Sequence, residues 1–131
     1  MIAELKLQDI VQNINFYLDF SKQPMSAKTA FKFSKILKQI IEEYNSYNNI
    51  RKELIERYAV KDDNGKVIYD DKQNASINNE NYQIFSKEIE GLLNTNVQIT
   101  YTPLLIGEIS DKEFTPAQMI ILEKFIEASN L

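Results

Sequence analysis

Hydrophobic positions in the middle of the chain recur with the spacing of one long helix. Between residues 26 and 58 the apolar and aromatic side chains Ala30, Phe33, Leu37, Ile40, Tyr44, Tyr47, Leu54 and Tyr58 fall mostly three or four positions apart, and only Arg51 interrupts the seam. Ser26 stands where an N-cap belongs, two residues after Pro24, and neither Pro nor Gly occurs again before Gly65. The spacing predicts about nine unbroken turns, roughly 45 to 50 Å of helix, in a chain whose spherical domain would be about 30 to 35 Å across. Either the helix spans the body or its far end projects. A projecting end carrying Tyr44, Tyr47, Ile50 and Leu54 needs a partner.

The flanking patterns are shorter. Residues 3–7 alternate apolar and charged, as in a short edge strand, and Asp9 is placed to cap a helix bearing Ile10, Val11, Ile14, Tyr17 and Leu18. That helix breaks at residues 21–24, and so short a connection folds it back on the long helix as a hairpin. After Tyr58 the period drops to two. Residues 59–69 read as a β-hairpin turned by Asn64-Gly65, and residues 70–81 as a polar, mobile loop without periodicity. A third helix over about residues 80–94 places Tyr82, Phe85, Ile89, Leu92 and Leu93 on one face. Val97, Ile99 and Tyr101 alternate as a half-buried strand that stops at Pro103, and Leu104-Leu105-Ile106 continues into the core irregularly. Thr115-Pro116-Ala117-Gln118 opens a last helix with a capping-box spacing, burying Met119, Leu122 and Ile126 with Ile121 and Phe125 beside them. No internal repeat is evident. The expected fold is α+β, mainly α: a long central helix in a helical hairpin, packed with two further helices and a small antiparallel β element, in a single domain over residues 1–131.

Composition changes this picture mainly by exclusion. The chain has no His and no Cys, which removes the commonest general base, thiolate nucleophiles and the usual zinc ligands. Its only glycines, Gly65, Gly91 and Gly107, stand too far apart for a Walker loop or a dinucleotide fingerprint. Asp62, Asp63, Asp70 and Asp71 gather around one hairpin, but a calcium loop with Gly65 at its sixth position would have Val60 as its first ligand. Asp and Asn favour such turns for backbone reasons, so the cluster reads as a solvated turn. No catalytic residue, cofactor site or metal site is expected. A net charge of -4 makes nucleic acid an unfavourable partner, and the absence of a long apolar run or a leader-like N-terminus leads to the expectation of a soluble, cytoplasmic protein without membrane contact.

One charged feature runs against the overall sign. Lys22, Lys28, Lys32, Lys35 and Lys38 are five cations within seventeen residues without an intervening acid. Lys28, Lys32, Lys35 and Lys38 share a helix face of about 120°, opposite the seam, with Phe31 at its edge. Lys28, Phe31, Lys32 and Lys35 are therefore the candidate partner-binding residues, set against the plainer reading of a solvated helix face.

The order of features resembles a family of small, uncharacterised proteins of tailed phages, mainly those of Gram-positive bacteria. The matching pieces are Lys28-Thr29-Ala30-Phe31-Lys32, Arg57-Tyr58 leading to Lys61-Asp62-Asp63-Asn64-Gly65, Phe85-Ser86-Lys87-Glu88-Ile89 with Leu92-Leu93, Val97-Gln98-Ile99, and Thr115-Pro116-Ala117. The resemblance implies a phage gene product working in the infected cell's cytoplasm or in a virion, and brings no catalytic residues. The expectation is a non-enzymatic accessory protein that binds a host or phage protein, for example an inhibitor of a defence system. A self-associating virion or assembly component is the alternative, and a carboxylate-metal nuclease a distant one.

Overall fold

A computed structural model describes residues 1–127. The described chain is mainly helical with small β elements, as the periodicities indicate. Ile2–Lys6 forms β1, Leu7–Ser21 α1, Ala27–Tyr58 α2, Asn79–Leu93 α3, Asn96–Thr100 β2, Leu104–Leu105 β3, Pro116–Leu122 α4 and Ile126–Glu127 β4. Helix α2 runs for 32 residues without a break. It starts where Ser26 Oγ accepts from the Thr29 amide at 3.3 Å, which satisfies one of the orphan donors of the first turn. The backbone clusters into two compact units, one of residues 1–44 with the segment from 96 onward, the other of residues 45–95.

In the first unit β1 and β2 pair antiparallel, Ala3 opposite Ile99 and Leu5 opposite Val97. These four side chains are buried and share one face, as period-two alternation requires. Helix α1 begins directly at Leu7. Lys6, which makes no side-chain cap, precedes it, so Asp9 lies inside the first turn and is not the cap. Helices α1 and α2 meet through Phe20 and Phe33, whose rings cross edge-to-face at 4.7 Å. The buried stripe of α2 here is Thr29, Phe33, Ile36 and Ile40, whereas Ala30 is exposed and Leu37 half-buried. The stripe is thus rotated by about 50° from the expected seam, towards the side that carries Lys32.

The C-terminal part of this unit corrects another expectation. Thr115 and Gln118 do form the reciprocal cap, with Pro116 at the first helical position. The helix then stops at Leu122, passes through a tight turn at Glu123–Phe125 and becomes β4, which pairs parallel with β3. Ile126 is therefore a half-buried strand residue and not part of a helix face. Phe125 is sealed in the core with Tyr101 packed edge-to-face on it at 5.4 Å. Burying the Phe125 ring under Tyr101, with the pairing of β3 and β4, takes the place of another turn of helix.

The second unit is thinly packed. Its buried apolar side chains are Tyr47, Leu54 and Ala59, none of them fully sealed, and α3 has no buried residue, with Tyr82 exposed and Phe85, Ile89, Leu92 and Leu93 half-buried. Residues 60–76 hold a repeated turn where a hairpin and a loop were expected. Asp62 Oδ1 accepts from the amides of Asn64 and Lys66 at 2.9 and 3.0 Å, and Asp70 Oδ1 accepts from those of Lys72 and Asn74 at 2.9 Å each. Positive φ follows at the same offset, 80° at Gly65 and 65° at Gln73. Bridges Lys61–Val67 and Tyr69–Ala75 close the two turns, and Val60, Ile68 and Ser76 are joined by backbone hydrogen bonds. The chain does contain an eight-residue repeat, concealed because Gln73 replaces the glycine that marks the first copy.

Candidate functional site: the exposed face of the long helix

The first four turns of α2 divide their lysines between two environments. Lys28, Phe31, Lys35 and Lys38 are exposed, and Phe31 keeps 63 % of its surface in water. Lys35 Nζ lies 4.5 Å from the Phe31 ring centroid, a cation–π contact between side chains one helical turn apart. Ser34 Oγ donates to the Phe31 carbonyl at 2.8 Å and so leaves the surface beside the ring low. Leu37 and Ile41 continue the apolar floor, making a shallow groove with Phe31, Ser34, Lys35 and Lys38.

Lys32 is not part of that face. The rotated stripe brings it to the border of the core, where its side chain is only 10 % exposed and its ammonium donates to Glu108 Oε1 at 2.6 Å and to the Pro103 carbonyl at 3.1 Å. Glu108 Oε2 accepts from Thr29 Oγ1 at 2.6 Å, and Oε1 also accepts from the Leu105 amide at 3.1 Å. Thr29 in turn shares a hydrogen bond with Ser26 at 2.9 Å. The Lys32 and Thr29 donors, with the Leu105 amide, hold the Glu108 carboxyl at about 2 against the opposing effect of desolvation. Each charge in this chain of bonds faces an opposite charge or a hydrogen-bond partner, so the cluster fastens the segment 103–108 to α2.

One further contact fixes the face. The Gln39 amide donates to the Thr100 carbonyl at 2.7 Å and its carbonyl accepts from the Thr100 amide at 2.9 Å. A side chain thereby pairs with the backbone of β2 as a neighbouring strand would, and ties α2 to β2. The sequence signalled Lys28, Phe31 and Lys35 through charge and spacing. It gave no sign of Leu37 and Ile41 as the groove floor, because both satisfy a core periodicity equally well.

The two acidic turns of residues 60–76 offer less. Asp62 and Asp70 each spend an oxygen on two backbone amides, and among the described residues no three acidic side chains converge as a metal site would require. No described helix is long and apolar enough to cross a membrane. In comparisons with known proteins the chain matches no family model, no curated protein and no solved structure.

Proposed function

We propose that this chain is a non-enzymatic protein-binding module whose contact surface is the face of α2 formed by Lys28, Phe31, Lys35, Lys38, Leu37 and Ile41. The observation that carries this reading is Phe31. A phenylalanine left largely in water on a helix surface, with the Lys35 ammonium over its ring and an apolar groove beside it, has the make-up of an interface anchor with a charged rim. On an acidic protein, a local excess of lysine selects a partner surface that is acidic and offers an apolar pocket for the ring. The phage resemblance supplies the setting: an accessory protein that occupies the surface of a host factor, such as a component of a defence system, in the infected cell. Helix-in-groove binding needs no catalytic group, which suits a chain without His or Cys.

The test is capture from bacterial lysate by the tagged chain, followed by identification of the retained protein. Phe31→Ala, and separately Lys28→Glu with Lys35→Glu, should each lower recovery of that protein at least tenfold, whereas Lys32→Met should act only through stability. Equal recovery by all variants would refute the assignment.

Self-association, as in a virion component, has its own support in the second unit, where Ile50, Tyr82 and Ile84 are 40 %, 56 % and 47 % exposed. Light scattering after gel filtration separates the two readings, a monomer being expected for the first and a defined oligomer for the second.

A further inference from the structure

A second site lies elsewhere on the first unit, in a cleft of about 170 Å³ lined by residues of α1, β1 and the C-terminal segment. Asp9, Asn13 and Tyr17 line one wall, at positions i, i+4 and i+8 of α1, and so share one face of the helix. Leu5, Ile120 and Ile121 supply apolar surface. The volume corresponds to about five or six water molecules, small for a nucleotide or a sugar but adequate for a short alkyl chain with one polar head.

The polar wall is unpaired. Tyr17 is only 1 % exposed and its hydroxyl makes no hydrogen bond among the described residues, yet no buried polar side-chain atom there lacks a partner, so this oxygen is one that water in the cleft reaches. Buried phenols ordinarily find a partner. The charge of Asp9 acts on the phenol across the wall, and Asn13 stands between the two on the same helix face. Burial, and secondarily the Asp9 charge, push the phenol up to about 12 and keep it protonated, so its oxygen can both accept and donate. Asp9 forms no ion pair among the described residues. Lys124, the cation at the rim, donates to the Glu4 carbonyl at 3.0 Å, and Glu123 adds a second acid.

We infer that this cleft binds a primary ammonium group on a short apolar stem, with Asp9, the Asn13 side-chain oxygen and the Tyr17 hydroxyl accepting its three N–H donors. A carboxylate, an amide oxygen and a phenol are all acceptors, and an alkylammonium is the small group with three donors to match them. The stem lies on Leu5, Ile120 and Ile121. Such a head belongs to a free alkylamine or to a lysine side chain presented by another protein.

Titration of the full chain with n-butylammonium, followed by amide chemical shifts, tests this directly. A ligand of so few atoms should saturate near about 1 mM, with the largest shifts at Leu5, Asn13 and Ile121. 1-Butanol, of similar shape but neutral, should bind at least about tenfold more weakly, and Asp9→Asn and Tyr17→Phe should weaken butylammonium by about tenfold and fivefold. Tyr17→Phe keeps the packing, and an unchanged amide spectrum in α1 reports that each variant is folded. A blocked lysine, N-acetyl-lysine methylamide, distinguishes the sources: tighter binding than butylammonium assigns the site to a protein lysine, weaker binding to a free amine, and either supports the ammonium site. Absence of saturable shifts up to about 50 mM, equal binding of butanol, or an unaltered affinity in both variants would overturn it.

Discussion

Glu108→Gln removes the charge that satisfies Lys32 while keeping the shape of the side chain. In the native protein Lys32 and Glu108 keep only 10 % and 15 % of their side-chain surface in water, so the ammonium left behind has the Pro103 carbonyl and one amide oxygen in place of a carboxylate. Breaking a pair buried to this degree costs about 2–3 kcal/mol, less than the largest values because water still reaches one side. The pH dependence gives an independent measure. Glu108 titrates at about 2 when folded against 4.5 in its reference state, a shift worth about 3 kcal/mol at face value and about 1–2 kcal/mol after allowing for screening. Because the folded value is depressed, this stabilisation is complete above about pH 4.5 and disappears as the pH falls towards 2. Urea denaturation followed through α1 amide signals should therefore separate wild type from Glu108→Gln at pH 7 and bring them together near pH 2. The double variant Lys32→Met with Glu108→Leu should lose less than the sum of the single changes. A cost below about 0.5 kcal/mol at pH 7, or a difference undiminished at pH 2, would refute this role for the cluster.

Other consequences follow from packing and turn chemistry. With so few buried side chains, residues 59–95 should exchange amide hydrogens well before α1 and β2, a ranking that native-state exchange measures and that equal protection would contradict. Asp70→Ala frees two backbone amides and should cost about 1 kcal/mol, with a similar loss for Asp62→Ala, both readable as earlier local opening of residues 60–76. Thr115→Ala should cost about 1 kcal/mol in thermal unfolding by removing the cap of α4, with little effect on α2.

How much of this was legible in the chain depends on the range of the interaction. The start of α2 at Ser26, its unbroken run to Tyr58, the cap at Thr115 and the alternation of β2 are all written in residues a few positions apart. The rotation of the buried stripe was not, because Thr29 enters the core only by bonding Glu108, seventy-nine positions away. The same contact moved Lys32 from the candidate face into the cluster. The end of α4 was missed because Ile126 continues the helical period, while pairing with β3 and the burial of Phe125 favour an extended chain. In the 60–76 segment the first turn was readable from Asn64-Gly65. The second was hidden by Gln73, whose left-handed backbone gives no compositional signal. For the binding face, charge identified the lysines and the aromatic, while only the fold distinguished the exposed cations from the buried one.

The binding reading is tested most directly by a photo-crosslinking phenylalanine analogue at position 31, compared with the same analogue at position 82, in chains exposed to bacterial lysate. The predicted result is one discrete heavier adduct from position 31, suppressed by Lys28→Glu with Lys35→Glu and absent from position 82. An adduct formed only from position 82, or one from position 31 that survives the charge reversals, would contradict the assignment of this helix face as the docking surface.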